Sequence, residues 1–235
     1  MFSNEERMIY AKRQLVEVIC QLRFPEILSI DASEPAAFQD RIRREYPQYE
    51  KKIEQLPPQM VNGKPVPQGT VTNYQFVSAK GFIALSTYGY TRWEEFAQRL
   101  DRILAVFIET YHPSWFTRVG LRYVNAFRRA PLGLEDCLWK ELITPGFLGL
   151  MGDEDAQEQA FMKNELTATV QMPGGAKANV KSGPGLLRKV NNRTRETTEE
   201  RVFMLDLDLY MDSKIELNHT APALNIVHDN AGSLF

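Results

Sequence analysis

The chain has 235 residues, of which 43% are hydrophobic and 25% are charged, and its formal net charge is -2. This size suits one large domain or two small ones, and the near-neutral charge gives no global attraction to nucleic acid or to membranes. No apolar run reaches the roughly 18 residues of a membrane span, and residues 1–14 contain no apolar signal segment. Since Cys20 and Cys137 are the only cysteines, the sequence predicts a cytoplasmic, reduced protein.

The first 130 residues carry hydrophobic periodicities in a definite order. The predicted elements are a strand (15–24), a helix ending at Pro47 (33–46), an irregular connection (48–69), a hairpin (71–90), a helix opened by a Thr91–Glu94 capping box (93–112) and a strand (118–129). This β-α-β-β-α-β order is that of a ferredoxin-like unit. We therefore predict a ferredoxin-like half over residues 1–130.

Residues 131–235 repeat this order less regularly. The predicted elements are a short helix (132–143), an acidic loop (144–163), a strand (165–172), a Gly-rich hairpin or loop (173–185), two strands (185–192 and 201–211) and the beginning of a helix (221–235). The chain ends within that last apolar pattern, so we expect a truncated C-terminal helix. The fold class is accordingly predicted as α+β, with tandem ferredoxin-like halves and antiparallel sheets.

The stretch RVGLRYVNAFRR, from Arg118 to Arg129, is apolar enough for a buried strand yet contains arginines and an asparagine. Side chains of a strand alternate between its two faces, so Arg118, Gly120 and Arg122 share one side. Gly120 then leaves room beside the arginines. Asn125 falls on the core-facing side, where its amide is expected to bond to backbone at the end of the strand. We interpret the stretch as the central strand that joins the two halves.

Two further strands bring candidate ligand-binding residues to comparable faces. Glu17 and Gln21 lie on the polar side of the first strand, and Asp206 and Asp208 share one face of the strand over 201–211. Two interpretations are open for the aspartates. They bind a metal while the arginines hold an anionic ligand, or they pair with Arg118 and Arg122 across packed sheets, which the sequence favours.

A metal site finds little support elsewhere in the chain. The three histidines, His112, His219 and His228, have no ligand spacing with another histidine, cysteine or acid. The sequence therefore predicts no bound metal and no cofactor.

Basic residues late in the chain leave room for a nucleic-acid interface. In a tandem ferredoxin-like RNA-processing protein, they would line a phosphate track beside the Gly-rich loop. The candidates are Lys177, Lys181, Arg188, Lys189, Arg193 and Arg195. The overall acidity and the absence of a nearby histidine favour a solvated hairpin instead.

The segments QLVEVICQLRF and RVGLRYVN together resemble a sporadically distributed, uncharacterised family of bacterial and archaeal proteins. Its members begin with a P-L-x-E-V-like strand and carry a central R-x-G-L-R-Y-x-N motif; Gln14 stands here where the family often has proline. The resemblance covers most of the chain, including the strand with Asp206 and Asp208, and implies another helix beyond this C-terminus. The family's patchy distribution resembles that of accessory genes, such as defence or toxin–antitoxin modules.

The resulting expectation is a non-enzymatic binding or interaction protein. Its functional surface would be the sheet face that bears Arg118, Arg122, Glu17 and Gln21. The expected partner is another protein, for example the product of a neighbouring gene, and a homodimer is also conceivable. An RNA-binding or RNA-processing protein and a metal-dependent enzyme acting on an anionic nucleotide are the alternatives.

Overall fold

The computed structural model describes residues 14–32, 35–48, 51–55, 59–61, 64–66, 70–74, 77–78, 81–190 and 197–234. The strands are β1 (Leu15–Arg23), β2 (Lys51–Gln55), β3 (Gln59–Val61), β4 (Lys64–Val66), β5 (Thr70–Tyr74), β6 (Val77–Ser78), β7 (Phe82–Thr87), β8 (Arg118–Phe127), β9 (Leu166–Gln171), β10 (Lys177–Val190) and β11 (Thr197–Met211). The α-helices are α1 (Leu28–Ala32), α2 (Ala36–Ile42), α3 (Trp93–Tyr111), α4 (Trp139–Leu142), α5 (Pro145–Leu148) and α6 (Thr220–Gly232). The fold is therefore α+β.

Nine of these strands form one antiparallel sheet in the order β2-β5-β6-β7-β1-β8-β11-β10-β9, while β3 and β4 pair separately. Strand β8 lies between β1 and β11 and is paired with both. The sheet is therefore continuous across residue 130, and the predicted role of RVGLRYVNAFRR as the strand that joins the two parts of the chain is confirmed.

One face of the sheet is covered by helices. Val18, Leu121 and Leu207 on β1, β8 and β11 have no exposed surface, and they belong to one large hydrophobic cluster with the apolar stripe of α3. The ring of Phe107 on α3 lies 4.9 Å from that of Phe24, which follows β1. Helix α6 lies against β8 and β11. The alternation read from the sequence thus places the apolar side chains of these strands in the core.

A smaller cluster closes the core beside the end of β8. Trp139, Leu148 and Met151 pack around Phe203 of β11. Arg129 stacks on the Trp139 ring at 3.8 Å and is paired with Glu158 at 2.5 Å. The segment between β8 and β9 is thereby fixed to the sheet.

The long helix and the principal strands were predicted correctly, but several boundaries were not. Helix α2 ends at Ile42 rather than before Pro47, and α1 was not predicted. The supposed irregular connection contains β2, β3 and β4. The capping box at Thr91 is also wrong, since Thr91 donates to Glu95 rather than pairing with Glu94, and this hydrogen bond lowers the pKa of Glu95.

The second part of the chain departs furthest from the expected order. The Gly-rich segment over 173–185 is mostly strand, because only its first residues form a turn before β10 begins at Lys177. Strands β9, β10 and β11 follow one another along the chain, and no α-helix separates them among the described residues. They form an antiparallel meander. Helix α6 confirms the predicted C-terminal helix, and none of the helices in the described ranges is long and apolar enough to cross a membrane.

Candidate functional site: the polar face of the sheet

The side of the sheet opposite the helices carries most of the predicted site residues. Directly opposed residues of paired strands point to the same side, and the register aligns Arg122 with Asp208 and Asp208 with Asn179. We call this surface the polar face. Its members on four neighbouring strands are Glu17, Gln21, Arg23, Arg118, Arg122, Asp206, Asp208, Tyr210, Lys177, Asn179 and Lys181.

Arg122 and Asp206 form a two-pronged ion pair across the β8–β11 seam. The guanidinium donates through Nε to Oδ1 at 2.7 Å and through Nη2 to Oδ2 at 2.5 Å. The two residues are diagonal neighbours, because Asp206 lies opposite Val124. This hydrogen bonding raises the pKa of Arg122, so the guanidinium is held charged in a planar fork geometry. Its side chain nevertheless remains 47% exposed.

Arg118 reaches Asp208 by lying across Gly120. Its Nη2 donates to Oδ1 at 2.7 Å and to Oδ2 at 2.8 Å of the carboxylate. A Cβ at position 120 would come within 2.2 Å of the guanidinium Nη1, so any larger residue there would require the Arg118 side chain to move from this path. The guanidinium also lies 4.4 Å from the centre of the Tyr210 ring. Gly120 therefore provides a slot in which Arg118 is only 13% exposed.

Asp208 extends this pair into a network across the sheet. Asn179 on β10 donates to its Oδ2 at 3.3 Å, and the Thr169 hydroxyl on β9 donates to the side-chain Oδ1 of Asn179 at 2.9 Å. Asp208, Asn179 and Thr169 lie directly opposite one another, and Arg118 joins them diagonally, so the network links β8, β11, β10 and β9.

Arg128, just after β8, forms a third ion pair beside the β8–β11 seam. Its Nε and Nη2 both donate to Oε2 of Glu200, at 2.8 and 2.5 Å. The other carboxylate oxygen of Glu200 is buried without a hydrogen-bond partner. Three arginines from β8 and the residue just after it are thus each neutralised by a carboxylate of β11.

The aspartates were predicted to pair with the arginines across packed sheets. The pairing is found, but between adjacent strands of one sheet. Both carboxylates accept hydrogen bonds from guanidinium groups in this arrangement. No group of three histidine, cysteine or acidic side chains suited to a metal occurs in the described ranges.

Glu17 and Gln21 lie one strand away from the ion pairs. Gln21 is opposite Gly120 and accepts a hydrogen bond from Nε of Arg23 at 3.0 Å. Glu17 is opposite Val124, and its charge adds to the raised pKa of Arg122. The four predicted ligand-binding residues of β1 and β8 are therefore brought together on one surface.

Two residues of the predicted nucleic-acid track, Lys177 and Lys181, are each paired with a carboxylate. Lys177 lies 2.9 Å from Asp212, and Lys181 lies 3.2 Å from Glu165. Both lysines are on strand β10, not on a loop. Arg188 and Lys189 belong to the far end of the same strand, while Arg193 and Arg195 lie outside the described residues.

Asn125 is 5% exposed on the core side, and its amide Nδ2 donates to the backbone carbonyl of Leu205 at 3.3 Å. Leu205 is its register partner on β11, so the predicted bond to backbone is confirmed. This hydrogen bond joins β8 to β11 on the covered side of the sheet.

A pocket of about 90 Å³ lies away from the polar-face ion pairs, where the end of β7 meets the beginning of α3. Tyr90, Arg92 and Glu95 contribute to its wall. Sequence reasoning did not find it, because residues from separate elements form it and no local pattern marks them.

Searches against known protein families, curated proteins and solved structures return no match to the chain. The resemblance read from the two strand motifs stays a prediction.

Proposed function

We propose that the protein is a non-enzymatic binding protein whose polar face recognises another protein. The observation that carries this proposal is the exposed, fixed charge pattern beside the β8–β11 seam. Arg122 is held by Asp206 in a two-pronged geometry while nearly half of its side chain remains exposed. A guanidinium fixed in this way is pre-organised for a carboxylate or carbonyl of a partner, because little side-chain entropy is lost on binding.

The balance of charges on this face favours a protein partner over RNA. Each of Arg118, Arg122, Lys177 and Lys181 is paired with a carboxylate of the same chain. Binding to a nucleic-acid backbone gains its free energy from cations that neutralise phosphates. Alternating charges instead suit a protein surface with the complementary pattern.

The same pairs disfavour a metal-dependent enzyme. A two-carboxylate metal site needs oxygen atoms that are free to converge on the ion. Here Asp208 accepts from both Arg118 and Asn179, and Asp206 accepts from Arg122 through both oxygens.

We further propose that residues 1–130 form a ferredoxin-like half. The chain order β1, α2, a strand pair, α3, β8 supports this, as does the position of β1 between β7 and β8. The meander of β9, β10 and β11 gives less support to a second half of the same type. Following the resemblance to accessory genes, the proposed partner is the product of a neighbouring gene.

Exchanging the charges of Arg122 and Asp206 distinguishes a role in partner binding from a role in the stability of the fold. The double variant Arg122→Asp with Asp206→Arg keeps an ion pair but reverses its orientation on the polar face. We expect it to fold with a melting temperature close to that of the wild type and to lose the neighbouring gene product in co-purification. The matched control is the swap of Arg102 and Glu45, an exposed pair between α3 and the residues after α2. Unchanged co-purification after the Arg122–Asp206 swap would count against the proposal.

Two further measurements address the alternatives. Salt-dependent binding of single-stranded RNA that disappears on Lys181→Ala and Arg188→Ala would favour an RNA-binding protein. A divalent-ion thermal shift abolished by Asp206→Asn would favour a metal-dependent enzyme. We expect neither signal.

A further inference from the structure

Strand β9, Leu166–Gln171, forms one edge of the nine-stranded sheet. It pairs with β10 on its inner side, and no described strand pairs with its outer side. An edge strand presents a row of backbone donors and acceptors that can pair with another strand. The outer side of β9 is therefore a surface to which a further strand can be added.

The two edges of the sheet differ in chemistry. The opposite edge, β2, has the sequence KKIEQ, with three charged residues among five. Strand β9 has the sequence LTATVQ, without a charge or a proline. Lysine and proline are the common means by which proteins block an edge against pairing, and β9 has neither. The contrast indicates that the β9 edge is open to a partner strand.

From this contrast we infer that β9 pairs with β9 of a second copy of the chain, antiparallel about a two-fold axis at Ala168. The inference is independent of the partner proposed for the polar face. In this register Ala168 meets its own copy, Leu166 meets Val170, and Thr167 meets Thr169. Because β9 carries no charged residue, this self-pairing brings no like charges opposite one another within the strand.

In the proposed pairing, each face of β9 meets the same kind of face on the second copy. Leu166 and Val170 are half-buried and pack against the hydrophobic cluster of this chain, so apolar contacts would continue into the second copy. Thr167 and Thr169 are exposed on the side of Lys181 and Asn179. Lys181, which lies opposite Thr167, is paired with Glu165, which limits repulsion between copies.

The assembly would join two polar faces into one continuous surface. Its sheet would run through β10 and β9 of one copy into β9 and β10 of the other. A partner that binds the polar face would then meet two copies of the same charge pattern, which increases the affinity for a symmetric ligand.

Sedimentation of the full chain tests the dimer. We expect the wild type to sediment as a dimer and Thr167→Lys with Thr169→Lys to weaken the dimer by about tenfold or more, because four lysines would meet at the axis. The control is Ser86→Lys, which places the same charge on an exposed position of β7. A monomeric wild type, or a dimer unaffected by the two lysines, overturns the inference; a monomer would leave the β9 edge to a strand of a different protein.

A cysteine placed at the axis tests the register even if the lysine variant fails to fold. Opposed Cα atoms in an antiparallel pair are about 4.5–5.5 Å apart, within the range of a disulfide. In a Cys137→Ser background, Ala168→Cys should form a covalent dimer on oxidation. The comparison variant Thr169→Cys should cross-link much less. A failure of Ala168→Cys to cross-link in the folded chain would overturn the proposed pairing.

Discussion

The two faces of the central sheet are built from the same strands, yet their side chains meet different surroundings. On the covered face Leu121 and Leu207 have no exposed surface. The free energy gained by burying them depends on apolar area and not on which partner they meet. On the polar face the same two strands are joined by ion pairs between Arg118 and Asp208 and between Arg122 and Asp206. Apolar burial on one side therefore stabilises the sheet, while paired charges on the other side fix the register between its strands.

The largest effect should follow a deletion on the covered face. Leu207→Ala is expected to lower the free energy of unfolding by about 2–5 kcal/mol, because it removes buried methyl groups and leaves a cavity. Urea denaturation measures this difference. Leu150→Ala is the control, since Leu150 is 77% exposed and its removal should change stability by less than about 0.5 kcal/mol. Equal costs for the two variants would show that the covered face is not the main source of stability.

An intermediate effect is expected at Gly120. The Cβ of Gly120→Ala would displace the Arg118 guanidinium, so we expect a loss of about 1–2 kcal/mol in the wild-type chain. In an Arg118→Ala background the slot is empty, and the same change should be neutral or stabilise by up to about 1 kcal/mol, since glycine is unfavourable within strands. Urea denaturation of the wild type, the two single variants and the double variant tests whether the effect of Gly120→Ala on stability changes sign. The same cost in both backgrounds would rule out the slot.

A smaller effect is expected for Arg122. Arg122 is 47% exposed in its pair with Asp206, so the pair should contribute about 1 kcal/mol and Arg122→Ala should lower the urea midpoint only slightly. Loss of partner binding without loss of stability would then identify recognition as its role. A loss of several kcal/mol would assign Arg122 to the structural seam instead.

The smallest effect concerns the exposed pair of Lys177 and Asp212. The hydrogen bond from Lys177 lowers the pKa of Asp212, and the pKa of Lys177 is raised by the same contact. The contribution of Asp212 to the free energy of unfolding is present above its unfolded pKa. It is lost as pH falls through its folded pKa. Lys177→Met should raise the pKa of Asp212 back toward its ordinary value, as followed by NMR titration. A titration of Asp212 that is the same in both chains would contradict the pairing.

Alternation along single strands could be predicted from the sequence. It placed Arg118, Gly120 and Arg122 on one side of β8 and Asp206 and Asp208 on one side of β11, and it placed Asn125 toward the core. Which aspartate meets which arginine could not be predicted in this way. That match depends on the register between strands about 80 residues apart, which no local pattern encodes.

The Gly-rich segment shows a second limit of local patterns. Its glycines suggested a loop, yet β10 continues through Gly183 because it is paired with β11 there. A Cβ at Gly183 would lie 2.2 Å from the carbonyl oxygen of Asn164, and its φ is 154°. The glycine therefore permits a close backbone approach within a strand, which sequence alone does not distinguish from a turn.

Arg118 and Asp208 are bound to each other through the slot at Gly120. A double-mutant cycle with Arg118→Met and Asp208→Asn measures this coupling, with free energies of unfolding from urea denaturation. We expect a coupling energy of about 1–2 kcal/mol for this pair and less than about 0.5 kcal/mol for a control cycle between Arg118 and Asp206. A coupling between Arg118 and Asp208 that is indistinguishable from zero would contradict the account.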